Sequence, residues 1–155
     1  MTMGKVPNDP CAIARSLGVL GERWTFLILR EAATSGATRF SQFRAALGVA
    51  PDVLTERLNT LVEHGVLEKV AYRDPGERSR LSYLLTPSGQ ELLVILAALQ
   101  QWGDAHLPWP EGPSVLRRVK GTDQPVHIGY IDEGGREVAP EDFEMVTTSV
   151  YPGNN

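Results

Sequence analysis

RFSQFRAALGVAPDVLTERLNTLVEHGVLEK, residues 39–69, holds two short helical patterns separated by one glycine. Phe40 precedes Ser41, a residue type that caps helices, and Phe43 and Leu47 then recur on one face. Gly48 turns the chain. Pro51 opens a second helix with Asp52 in its first turn, where the helix dipole favours an anion. Leu54, Leu58, Leu61 and Val62 make its buried face and Gly65 ends it. Two short helices joined by a tight glycine turn form a helix-turn-helix. The opposite face of the second helix carries Asp52, Thr55, Glu56, Asn59 and part of Arg57. Short polar groups and one long cation are the chemistry that reads base edges in a major groove.

Toward the C-terminus, Val66 to Tyr72 reads as a strand and Leu81 to Leu85 as its partner. Between them RDPGERSR supplies a Pro75-Gly76 turn and three arginines, Arg73, Arg78 and Arg80. A basic hairpin tip after a helix-turn-helix is a wing, suited to the phosphate backbone. Arg39, ahead of the first helix, is placed to do the same. Thr86-Pro87 then opens a long helix to about His106, with Leu92, Leu93, Ile95, Leu96, Leu99 and Trp102 apolar. That stripe is wider than the flank of one small domain needs, which suggests a dimer face. Toward the N-terminus, Asp9-Pro10 reads as the start of a helix carrying Ile13, Leu17 and Leu20 and ended by Gly21. A further helix runs from about Trp24 to Thr34, its apolar face being Trp24, Leu27, Ile28 and Ala32. The expected fold is mainly α with a small β-hairpin wing: a winged helix-turn-helix, a C-terminal dimerisation helix and a small β appendage.

Composition sets the bounds. The chain has 155 residues, 42% apolar and 22% charged, ordinary for a globular protein. One cysteine excludes an intramolecular disulfide framework and a multi-cysteine zinc site. The longest apolar run, Leu92 to Leu99, is far short of the ~20 residues of a membrane span. MTMGKVPNDP has no apolar core after Lys5, so no secretory signal is expected and the cytoplasm is the expected compartment. Residues 11–110 hold ten basic and ten acidic groups, whereas residues 111–155 hold four and eight, so the net charge of −4 sits in the tail. With Pro108, Pro110 and Pro113 marking the shift, the expected organisation is a DNA-binding and dimerisation domain over 1–110 and an acidic appendage over 111–155. The appendage reads as a small metal-free β unit, with strands near Val126–Ile131 and Arg136–Val138 about an Asp132-Glu133-Gly134-Gly135 turn, and a frayed tail from Ser149 to Asn155. His64, His106 and His127 are too scattered for a metal or catalytic cluster. GVLGER and IDEGG lack the context of a phosphate loop, so no cofactor is expected and an enzyme is the weakest class.

Five runs, CAIARSLGVLGERWTFLILREAA, RFSQFRAAL, LTERLNTLVEHGVLEK, YLLTPSGQEL and QQWGD, together resemble the HxlR-type branch of the MarR-like winged-helix bacterial transcription regulators. The likeness covers about residues 9–107 and combines Cys11, Gly21 to Trp24, Arg39-Phe40, Leu54-Thr55, Arg57-Leu58 and Gly65 in order. It implies a homodimer through the first and last helices that binds palindromic double-stranded promoter DNA, usually as a repressor and sometimes as an activator. It also implies that Cys11 takes the place of a cysteine through which some members sense quinones, aldehydes or oxidants. The sequence departs from the family pattern at Ala50, where a capping serine is usual, at Glu56, where glutamine is common, and in the more basic wing. On the residues alone two classes stay open. One is a DNA reader using Arg39, Pro51, Asp52, Thr55, Glu56, Arg57, Asn59, Arg73, Arg78 and Arg80. The other is a protein-interaction module with little DNA affinity, because residues 39–80 hold seven basic against six acidic groups. Trp24 and Trp102 read as core or dimer contacts, with the lining of a small-molecule effector pocket as the alternative.

Overall fold

The computed structural model describes residues 6–152. Residues 1–5 of the stretch on which the leader reading rests, and Gly153 to Asn155 of the tail, lie outside the described residues. The chain divides into two compact units, the first reaching Leu93 and the second spanning Val94–Val150.

In the first unit α1 (Ala12–Leu20) leads to α2 (Arg23–Thr34), α3 (Phe40–Leu47) and α4 (Pro51–Glu63). The helices α2, α3 and α4 pack on one another, and their apolar faces meet in a core of Ile28, Leu29, Phe43, Leu54, Leu58 and Leu61, all fully buried. Gly48 joins α3 to α4 in the left-handed conformation, φ 61°, that side-chain-bearing residues rarely adopt. The strands β1 (Leu67–Tyr72) and β2 (Arg80–Leu85) pair antiparallel from Leu67↔Leu85 to Tyr72↔Arg80. The Tyr83 N–H donates to the Thr38 carbonyl at 2.7 Å and Arg39 bridges to Ser82, which ties the hairpin to the segment ahead of α3. This is the expected winged helix-turn-helix.

A short helix α5 (Pro87–Glu91) follows, capped by the Thr86 hydroxyl, which accepts from the Gly89 N–H. Gly89 is buried against the residue ahead of β1: a Cβ there would lie 2.2 Å from the Val66 carbonyl oxygen. Only glycine lets α5 sit this close.

Several local expectations are corrected. The first helix begins at Ala12, with Cys11 as its N-cap, and not at Asp9-Pro10. The Arg15 guanidinium donates to the carbonyls of Asp9 and Pro10, which therefore accept no helical N–H, while the Asp9 carboxylate accepts from the Cys11 N–H at 2.7 Å. Ser41 is not a cap. Arg39 holds that position, and the Gln42 side chain reaches back to the Arg39 N–H at 2.9 Å. On α2 the buried residues are Thr25, Ile28 and Leu29, with Trp24, Leu27 and Ala32 only half-buried. The long helix after Thr86 is interrupted at Leu92, whose N–H turns to the Gly89 carbonyl in a tighter turn before α6 (Leu93–His106).

The second unit holds most of α6 and the polypeptide after it. The Gln101 side chain pairs with both backbone groups of Ile128, donating to its carbonyl at 2.9 Å and accepting from its N–H at 2.8 Å. Gln100 donates to the Val115 carbonyl, and Arg117 pairs with Asp104 at 3.2 Å. The expected strands of the appendage shrink to β3 (Tyr130–Ile131) and β4 (Glu137–Val138), because Ile128 is occupied by Gln101 and the Val126 N–H by the Arg117 carbonyl. Tyr130 stacks on Phe143 with ring centroids 4.0 Å apart. The composition shift near residue 110 falls inside this unit. No helix among the described residues is long and apolar enough to cross a membrane.

Candidate nucleic-acid interface

The helix α4 starts with Pro51 at its first position and Asp52 in its first turn, and Ala50 offers no side-chain cap. Leu54, Leu58 and Leu61 clamp it from below. Pro51, Asp52, Thr55 and Glu56 are exposed on the other side, and Arg57 and Asn59 are half-buried. The Thr55 hydroxyl donates to the Pro51 carbonyl at 2.7 Å, which fixes its rotamer. Arg57 pairs with Glu56 at 2.7 Å, with 15% of its own side chain exposed. Asn59 accepts from the Lys69 ammonium at 3.0 Å, so the edge of α4 is stitched to β1.

The wing tip is held by its own charges. The Glu77 N–H donates to the Asp74 carbonyl at 3.0 Å, and Arg73 donates through Nε to the Glu77 carbonyl at 2.8 Å. Arg80 pairs with the Glu77 carboxylate at 3.0 Å. Arg39 lies with its guanidinium 4.3 Å from the centre of the Tyr72 ring and pairs with Asp74 at 3.4 Å. A cleft of about 360 Å³ opens here, walled by Arg39, Ser41, Tyr72, Arg80 and Tyr83 among others. Burial pushes the Tyr83 phenol above its usual range, so it remains a neutral hydroxyl across the physiological range.

Of the residues singled out from the sequence, Arg39 and Arg80 come together around this cleft. Thr55, Glu56 and Asp52 share the exposed face of α4, and Arg73 and Arg78 stand at the wing tip. Lys69, Tyr72, Asp74 and Glu77 belong to the same surface and were not among them. Tyr72 had a usable signal, an aromatic residue at the last strand position beside a run of arginines. Cys11 is half-buried at the N-cap of α1.

Residues 19–110 match the HxlR-like helix-turn-helix family, more than half of the chain. The chain is an HxlR-like helix-turn-helix protein. An uncharacterized HTH-type transcriptional regulator of Mycobacterium tuberculosis is 44% identical to it over 107 residues, 69% of this chain and 66% of that protein, so less than two thirds of that relative's length is spanned. The uncharacterized HTH-type transcriptional regulator YtfH of Escherichia coli is 33% identical over 106 residues, 68% of this chain and 82% of its own. The crystal structure of PA1607, a candidate transcription factor, superposes with a TM-score of 0.76 at 34% identity, covering 91% of this chain and 97% of that one. That likeness takes in part of the polypeptide beyond the HxlR-like match, so the second unit of this HxlR-like chain has a counterpart there. The HxlR-like family is one of regulators, not of enzymes.

Proposed function

We propose that this HxlR-like chain is a homodimeric, sequence-specific regulator of transcription, acting as a repressor on double-stranded promoter DNA in the cytoplasm. The observation that carries the reading is the polar face of α4 beside a wing of arginines, the two joined by the Lys69–Asn59 bond, with the hairpin tied to the segment ahead of α3 by the Tyr83–Thr38 bond. In this reading Thr55, Glu56, Arg57 and Asn59 meet base edges or adjacent phosphates, Pro51 and Asp52 open the helix toward the groove, and Arg39, Arg73, Arg78 and Arg80 meet the backbone. Homodimer contacts through α1 and α6 fit the apolar residues these helices leave uncovered, Ile13 and Leu17 on the first, Leu99 and Trp102 on the second. The test is a gel shift of the DNA flanking the chain's own gene over a salt series. Binding should fall steeply with salt, and Arg78→Ala should flatten the log–log slope by about 0.9 per copy lost from a phosphate. No shift of any duplex at low salt would leave the protein-interaction reading in its place.

Control through Cys11 is the finer part of the reading. It stands at the N-cap of α1, and half-burial leaves it within reach of small oxidants. With one thiol in the chain, oxidation yields a disulfide between subunits, a mixed disulfide or a sulfenic acid. Diamide should release DNA from the wild type and leave a Cys11→Ser complex intact. Equal release from both overturns it. A small-molecule effector is the alternative signal.

A further inference from the structure

Two of the arginines assigned to DNA phosphates already hold an anion. Arg39 faces Asp74 at 3.4 Å through two guanidinium nitrogens, and Arg80 faces Glu77 at 3.0 Å. All four side chains are between 41% and 60% exposed, so these are solvent-screened pairs that exchange partners at little cost. A carboxylate and a phosphate offer the same fork of oxygens to a guanidinium. The cation is also held independently of its anion: the Tyr72 ring lies against the face of Arg39, and Arg39 is fixed in the backbone as the N-cap of α3 and by its bridge to Ser82. Its position therefore survives the loss of Asp74. The cleft beside these groups is open and large enough to admit a phosphate.

Resting on the DNA-binding reading above, we propose that Asp74 and Glu77 are built-in competitors of the DNA backbone: they occupy Arg39 and Arg80 in the free protein and must yield them to phosphates in the complex. The two carboxylates thereby set the DNA affinity of the wing and keep it low on DNA of any sequence. This accounts for acidic residues inside an otherwise basic tip. A purely scaffolding role predicts the opposite sign, because a carboxylate that holds Arg39 in a binding posture would weaken the complex when removed.

The experiment measures fluorescence anisotropy of a promoter duplex and an unrelated duplex from about 50 to about 200 mM salt. Wild type is compared with Asp74→Asn/Glu77→Gln, Arg39→Ala and Arg39→Ala/Asp74→Asn, each checked for an unchanged circular dichroism spectrum. The doubly neutralised protein should bind both duplexes about tenfold tighter at the lowest salt, with the gain shrinking as salt screens the competing ion pairs of the wild type. The gain from Asp74→Asn should shrink in the Arg39→Ala background. Unchanged or weaker binding, or a gain that persists in full without Arg39, overturns the proposal while leaving the DNA reading intact. A wild type that binds neither duplex, with no gain in the variant, overturns both.

Discussion

Leu58→Ala is expected to cost about 2–5 kcal/mol of folding stability, against a total of about 5–15 kcal/mol for an ordinary domain. Leu58 is fully buried, on the inward face of α4 with Leu54 and Leu61. Alanine removes three heavy atoms from a site that fixed helices cannot easily collapse to fill, so lost burial and a cavity add. Urea or thermal unfolding followed by circular dichroism measures it. Thr55→Ala, on the exposed face of the same helix, should stay within about 0.5 kcal/mol. The pair separates folding from recognition: loss of DNA binding in Leu58→Ala should track the unfolded fraction, whereas loss in Thr55→Ala should occur in a fully folded protein. A Leu58→Ala protein as stable as wild type would mean that α4 is not clamped as described.

That face of α4 was legible before any coordinates because its signal is local. Leu54, Leu58 and Leu61 repeat at helical spacing, Pro51 and Gly48 fix the start and the turn, and each residue acts through neighbours a few positions away. What the periodicity missed depends on side chains competing for backbone groups. Arg15 takes the carbonyls that would have extended α1 back to Asp9, and Gln42 caps α3 where Ser41 looked the better candidate. Gln101 takes both backbone groups of Ile128, twenty-seven positions away, and so leaves only two residues of the expected strand. The candidate interface shows the same division. The arginines stand out as residue types. Their resting partners, Asp74 through the fold and Glu77 across the turn, emerge only once the hairpin brings them into contact.

On the homodimer reading proposed above, converting Ile95 and Leu99 of α6 to glutamate is expected to separate the two copies and to lower promoter affinity by about a hundredfold or more. The helix is apolar over most of its length, yet none of its residues is buried: Ile95 is 42% exposed, Leu99 51% and Trp102 57%. Contiguous apolar surface on this scale marks an interface in soluble proteins. A carboxylate facing the same position of a second copy would be desolvated without a partner, which the interface cannot tolerate. The consequence for DNA follows from linkage. Two joined copies bind two half-sites, the second at a high effective concentration worth about 10²–10⁴ in affinity, and separated copies lose that factor with every base contact intact. Light scattering coupled to gel filtration should show the variant at the monomer mass of 17.0 kDa, with an unchanged helical spectrum. A variant that keeps a dimer mass would place the interface elsewhere. A variant that becomes monomeric and still binds its promoter as tightly would mean that one copy suffices for recognition, and the geometry of paired helices would no longer explain it.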